Sequence, residues 1–182
     1  MNRGIEGGTV ERGDEITLTQ RSSRRREYEM RAGDQALGWL QWPRGRRSVA
    51  QAEGRGVGLM KLTTRRGRVV VVGGEDGADT LGTVERERGG SVISAVEGRA
   101  LRWERTARRN RWAIHDQGEP LLSVAASRGL LRSSVRISVE RTMPEETAVL
   151  LCLIGGYLAL SELQSMVDGS AAVGGIVATG AG

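Results

Sequence analysis

A chain of 182 residues, 38% hydrophobic and 27% charged, is long enough for one domain with an apolar core and too short for two of ordinary size. The composition argues against a disordered chain, and the single cysteine, Cys152, excludes an internal disulfide and a thiolate metal cluster. The net charge of +5 is modest, and Lys61 is the only lysine, so the basic side is almost entirely arginine. The N-terminus has no apolar stretch of the kind found in secretory signals, so we expect a cytoplasmic protein.

Short apolar runs separated by Gly-rich turns follow a lead-in over residues 1–13, which we expect to be flexible. The clearest run is Leu131–Glu140, where Val135, Ile137 and Val139 share one parity and polar side chains take the other. Such alternation is typical of a half-buried strand. Turn signals at short intervals predict twelve strands, near residues 15–20, 27–32, 35–42, 47–52, 57–64, 68–73, 80–85, 91–96, 99–105, 111–115, 120–126 and 130–140.

A helix is predicted over residues 143–167. Thr142 and Glu145 have the spacing of a capping box, and Gly169 is the predicted stop. The stretch Thr147–Ser161 carries no charge, but a membrane-spanning helix needs about 20 apolar residues. A shorter helix that is apolar on every side is expected to be buried inside its own protein. Residues 169–182 form a Gly/Ala-rich tail that we expect to be disordered.

An apolar helix without a polar face must be surrounded on all sides. The predicted fold is therefore all-β with one helix: a closed antiparallel barrel of about twelve strands around the central C-terminal helix, within a domain over residues 14–168. Gly155 and Gly156 would let strand side chains approach the helix backbone. Trp39, Trp103 and Trp112 are expected in the core, and Trp42 is the tryptophan expected to be most exposed.

This pattern resembles the tubby-like fold, in the branch of the phospholipid scramblases and the LURP-one-related proteins. The resemblance covers most of residues 15–165 and depends on the Trp-containing strand and polar turn over residues 111–118 and on a strand that leads into the helix over residues 135–160. It implies a barrel threaded by a hydrophobic helix, with lipids as the ligand class. The chain departs from scramblases, since it lacks their palmitoylated cysteine cluster and their acidic calcium-binding segment. A phosphoinositide pocket of the tubby kind cannot be placed with Lys61 as the only lysine.

The charged turns sort into two sets. Because alternate turns of an up-and-down barrel emerge at opposite ends, this sorting predicts a basic rim and an acidic rim. The basic set is Arg24, Arg25, Arg26, Arg44, Arg46, Arg47, Arg65, Arg66, Arg68, Arg86, Arg88, Arg108, Arg109, Arg111 and Arg128. The acidic set is Asp34, Glu53, Glu75, Asp76, Asp79, Glu97, Asp116, Glu119, Glu145 and Glu146, with Arg55 as an exception here and Glu85 and Glu87 as exceptions in the basic set.

No catalytic residues, cofactor or metal site are predicted. His115 is the only histidine, and Cys152 falls within the apolar helix, so a Cys–His dyad is not expected. The sequence contains no nucleophile elbow, phosphate-binding Walker loop or dinucleotide fingerprint. We therefore predict that the protein is not an enzyme.

The sequence favours a non-catalytic binding or scaffold protein whose arginine-rich rim contacts an anionic surface, with lipid headgroups preferred, in the cytoplasm and at the periphery of a membrane. The main alternative is a protein–protein interaction module that contacts an acidic protein surface. A membrane protein anchored by helix 147–163 ranks third. Nucleic-acid binding ranks below these, because the tryptophans are expected in the core rather than on a stacking face.

Overall fold

A computed structural model describes residues 8–174, apart from residues 23, 45–47, 74–78, 88–89, 97 and 130–131. The described residues form short strands followed by one long helix. In chain order these are β1 (Thr9–Val10), β2 (Glu15–Ser22), β3 (Arg25–Ala32), β4 (Gln35–Gln41), β5 (Val49–Gly54), β6 (Gly58–Arg65), β7 (Arg68–Gly73), β8 (Asp79–Glu87), β9 (Gly90–Val96), β10 (Arg99–Arg105), β11 (Arg111–Asp116), β12 (Glu119–Arg128), β13 (Ser133–Val139), β14 (Met143–Pro144) and α1 (Glu145–Gly174).

Strands β2 to β13 form a closed antiparallel barrel. Each strand pairs with its neighbour in the chain, and β13 returns to pair with β2, with Val135 opposite Leu18 and Ile137 opposite Ile16. Both members of these pairs point into the barrel and are fully buried. The predicted twelve-stranded barrel with one C-terminal helix is therefore confirmed.

The interior of the barrel is filled by α1. Residues 148–160 are all buried, so the helix contacts the wall on every side. The segment Glu145–Met166 is long and apolar enough to cross a membrane by length and composition, but 72% of its apolar window is buried within the protein. The structure thus places the segment proposed as an anchor, residues 147–163, in the core of the barrel.

The prediction of a capping box at the helix start is wrong, because Thr142 and Glu145 bond to the N-terminal segment and not to each other. The Thr142 hydroxyl donates to Glu11 Oε2 (3.0 Å) and accepts from the Arg12 backbone N–H (3.2 Å). The backbone N–H of Glu145 donates to the carbonyl of Gly8 (2.9 Å). Strand β1 pairs with β14 beside this contact, so part of the expected flexible lead-in is an ordered strand that holds the start of the helix.

The helix also continues to Gly174, beyond the stop predicted at Gly169. A glycine within a helix costs only about 1 kcal/mol relative to alanine, and the residues that follow Gly169 are small and compatible with a helix. The helical boundary therefore lies inside the predicted tail.

A β-bulge reverses the predicted exposure of two tryptophans. Met30 pairs with Gly38 but Arg31 pairs with Ala36, so Leu37 is an extra residue in β4 and the inward parity changes at that point. Trp42 is consequently buried, with 7% of its surface exposed. Trp39 lies half-buried on the outer wall and donates its indole N–H to Glu53 Oε2 (2.9 Å).

Two adjacent helix glycines have different surroundings. A Cβ added at Gly156 would lie 2.9 Å from Leu18 Cδ2, whereas one at Gly155 would lie 3.5 Å from Trp103 and 3.6 Å from Ile114, which are ordinary contact distances. The close approach predicted for this pair therefore applies to Gly156.

This difference gives a prediction for a matched pair of variants. Gly155→Ala should stabilise the protein by about 1 kcal/mol through helix propensity, and Gly156→Ala should not, because the fully buried Leu18 cannot move away without disturbing its neighbours. Urea denaturation of both variants measures the difference. Equal stabilisation of the two would show that Leu18 adapts at no cost.

Candidate anion-binding rim

Alternate hairpins of the barrel emerge at opposite ends, because consecutive strands are antiparallel. One end carries the hairpins β2–β3, β4–β5, β6–β7, β8–β9, β10–β11 and β12–β13. We call the arginines in and beside these hairpins the basic rim: Arg24, Arg25, Arg26, Arg44, Arg65, Arg66, Arg68, Arg86, Arg108, Arg109, Arg111 and Arg128. Arg46, Arg47 and Arg88, which the sequence places in the same set, lie outside the described residues.

Most of the described basic-rim arginines are exposed, and several form no salt bridge with a described carboxylate. Arg68 forms an ion pair with Glu85 (3.1 Å), in which both side chains are more than half exposed. Arg26 lies over the ring of Trp42, with its guanidinium carbon 4.2 Å from the ring centre. By contrast, no salt bridge joins Arg65, Arg66 or Arg108 to a carboxylate within the described part of the chain.

Two carboxylates at the opposite rim are paired with arginines, so this end also carries positive charge. Asp116 is 8% exposed and lies between Arg141 (2.6 Å) and Arg99 (3.6 Å). Glu145 is 7% exposed and lies 3.6 Å from Arg55. Arg99 and Arg141 were missed as partners because they lie 17 and 25 positions from Asp116 in the chain. Asp79 and Glu119 at this end are exposed and form no salt bridge within the described part of the chain, so the end carries charges of both signs.

The helix emerges at the basic rim and is fastened to the wall there. Glu162 accepts hydrogen bonds from the indole N–H groups of Trp103 (3.1 Å) and Trp112 (2.8 Å). These two indoles are stacked, with centroids 5.8 Å apart and planes 11° apart. On another side of the helix, the Tyr157 hydroxyl hydrogen-bonds with Thr64 (2.6 Å). Nothing in the local sequence marks Glu162, because its two partners come from different strands.

Tyr157 also anchors an aromatic cluster beneath Arg26. Its ring stacks on Trp42, with centroids 5.4 Å apart and planes 9° apart, and Tyr28 meets the same indole edge-on at 6.0 Å. The pKa of Tyr28 is raised by burial, an effect that Arg26, Ser133 and Arg128 oppose. The helix, the wall and one rim arginine are thus joined through a single set of rings.

The barrel wall separates His115 from Cys152, which lies on α1. Cys152 is in the interior, where burial raises the pKa of its thiol to about 12. His115 is on the outer wall, with Nδ1 3.9 Å from Glu104 Oε2. The two side chains therefore cannot form a nucleophile–base pair. Among the described residues, no group of three or more His, Cys, Asp or Glu side chains could hold a metal ion.

A closed twelve-stranded barrel threaded by a C-terminal apolar helix is the arrangement of the tubby-like fold. A solved structure of a LURP-one-related protein from Arabidopsis thaliana is similar to this chain, with a TM-score of 0.50 and 13% sequence identity over 81% of this chain and 93% of that one. Neither a family model nor a curated protein matches the sequence. At this identity the similarity shows the fold alone, and the branch of LURP-one-related proteins and scramblases stays a prediction.

Proposed function

We propose that this protein is a non-catalytic binding protein that uses the basic rim to contact an anionic surface, with lipid headgroups as the preferred surface, at the cytoplasmic periphery of a membrane. The observation that carries the proposal is the concentration of exposed arginines at one rim, of which Arg65, Arg66 and Arg108 form no salt bridge within the described part of the chain. At the other rim, by contrast, the carboxylates of Asp116 and Glu145 are paired with arginines. Such a charge distribution orients the barrel, with the basic rim towards the negative surface.

The expected strength is that of reversible peripheral binding. A basic residue close to an anionic membrane contributes about 1 kcal/mol, and the attraction falls off over a Debye length of about 8 Å at physiological salt. Several rim arginines together can therefore hold the protein at a surface at low salt, and the binding should weaken as salt is added.

The positions of the tryptophans favour a lipid surface over single-stranded nucleic acid. Trp42, Trp103 and Trp112 are buried, and Trp39 lies on the outer wall, bonded to Glu53. Nucleic-acid platforms combine a basic groove with aromatic rings on which bases stack. No tryptophan in the described chain is presented at the basic rim for that purpose.

Co-sedimentation with vesicles tests the proposal. We expect the protein to bind vesicles that contain an anionic lipid and not to bind neutral vesicles. Binding to the anionic vesicles should be weaker at physiological salt than at low salt. The variant Arg65→Ser/Arg66→Ser/Arg68→Ser should weaken binding on the order of a hundredfold, since three arginines contribute about 3 kcal/mol together.

A control variant removes three positive charges from outside the basic rim. Arg12, Lys61 and Arg102 are exposed but lie away from the basic rim, at the opposite end or on the outer wall. Their triple serine variant should keep most of the binding. Equal losses in the two triple variants would show that net charge, and not the rim, is responsible. Absence of binding to every vesicle would contradict the lipid proposal and make an acidic protein partner the next candidate to test.

A further inference from the structure

A cavity of about 330 Å³ opens beside the emerging helix at the basic rim. One side is the barrel wall, where it is lined by Arg26, Arg128 and Arg132, with Tyr28 and Ser133 between them. The other side is α1, which contributes Leu160, Leu163 and Gln164. The cavity therefore has one cationic, hydrogen-bonding wall and a helix side with two leucines and one amide.

Among the described residues, the lining of the cavity is cationic. The described residues that line the cavity include three arginines and no Asp or Glu. Neither Arg128 nor Arg132 forms a salt bridge within the described part of the chain. Several guanidinium groups that line one cavity favour an anion there, because each presents several N–H donors in a planar fork that matches carboxylate and phosphate oxygens.

The wall is also held in shape before any ligand binds. Buried Gln20 donates to the carbonyls of Ser22 and Arg25 (2.8 Å each) and accepts from the backbone N–H of Ser133 (3.0 Å). The backbone N–H of Gly129 donates to the carbonyl of Arg132 (2.8 Å), which fixes the two flanks of the β12–β13 connection. Arg26 is held over Trp42. A site arranged in this way loses less conformational entropy on binding than one built from mobile side chains.

We propose that this cavity binds a phosphate monoester, with the phosphate on Arg26, Arg128 and Arg132 and the organic group against Leu160 and Leu163. The inference rests on the proposed function in one respect, since Arg26 and Arg128 belong to the basic rim. A monoester carries between one and two negative charges at neutral pH and offers three terminal oxygens, whereas a diester carries one charge and offers two. Three arginines in one cavity match the monoester better. The same chemistry occurs in a lipid headgroup and in a soluble metabolite.

Calorimetry with glycerol 3-phosphate tests the cavity without a membrane. We expect saturable binding at one site per chain at pH 8, at least tenfold weaker binding of the diester dimethyl phosphate, and weaker binding at pH 5, because the second phosphate pKa is about 6. Arg128→Gln and Arg132→Gln should each weaken glycerol 3-phosphate binding about tenfold. Arg102→Gln/Arg136→Gln, on the outer wall, is the control and should bind as the unchanged protein does.

A vesicle assay distinguishes a lipid headgroup from a soluble metabolite as the source of the phosphate. It also distinguishes the cavity proposal from the basic-rim proposal. If the physiological phosphate is a lipid headgroup, vesicles with phosphatidic acid should bind more tightly than phosphatidylglycerol vesicles of equal surface charge, and Arg128→Gln should remove that difference. If glycerol 3-phosphate binds and no vesicle does, the cavity proposal holds for a soluble ligand and the lipid-surface proposal fails. If anionic vesicles bind but glycerol 3-phosphate does not, the cavity proposal is overturned and the rim proposal stands.

Discussion

Replacing Leu153 with Asp should abolish folding. Leu153 lies in the middle of α1 and is fully buried, and its Cδ1 would be 3.0 Å from a Cβ added at Gly54 on the barrel wall. The substitution loses about 2–5 kcal/mol of apolar packing and adds the cost of a buried carboxyl group without a partner. Together these approach or exceed the net stability of a typical domain, about 5–15 kcal/mol. Far-UV circular dichroism and a thermal melt of the purified protein measure the effect.

A control introduces the same residue, aspartate, near the exposed end of the same helix. Ser165 is exposed and donates its hydroxyl to the Ser161 carbonyl, so Ser165→Asp should change the free energy of unfolding by less than about 1 kcal/mol. A native melting transition in Leu153→Asp would show that the barrel folds without the helix in its interior. In that case residues 147–163 would be available for a membrane, and the anchored alternative would regain its support.

The barrel and its helix could be predicted because each depends on a periodic or local signal. Val135, Ile137 and Val139 alternate with polar residues in the sequence and are buried on the inner wall in the structure. The uncharged stretch over residues 147–161 has no polar face, which leaves only an enclosed position for it. Both signals come from the residues of the element itself and need no knowledge of its partners.

The features that sequence reasoning missed are created by contacts between distant residues. Thr142 bonds to Glu11, 131 positions away, and is therefore not the helix cap that its spacing with Glu145 suggested. The bulge at Leu37, which buries Trp42 instead of Trp39, depends on how β3 and β4 pair. The two indole partners of Glu162 lie 59 and 50 positions away. The cavity was missed for the same reason, since β2, β3, β12, β13 and α1 all contribute to it.

The Glu162 contact gives the second large prediction, because it fastens α1 to the wall at the basic rim. Glu162→Ala should lower the free energy of unfolding by about 2–4 kcal/mol, since it leaves the N–H groups of Trp103 and Trp112 without their acceptor in rings that are only 2% and 1% exposed. Glu162→Gln keeps an amide oxygen as an acceptor but loses the charge, and it should cost about half as much. Urea denaturation monitored by tryptophan fluorescence measures both.

A double-mutant cycle distinguishes these hydrogen bonds from a general effect of the substitution on the helix. Trp103→Phe and Trp112→Phe each remove one N–H donor and keep a buried ring. In either background Glu162→Ala should cost less than in the unchanged protein, with a coupling energy of about 1–2 kcal/mol for each pair. Fully additive losses would mean that Glu162 stabilises the helix by another route. Binding of glycerol 3-phosphate to the cavity at the same rim is a second measurement. In Glu162→Ala the end of the helix is released from the wall, so Leu160 and Leu163 are no longer held in the cavity. Glycerol 3-phosphate should therefore bind more weakly to this variant.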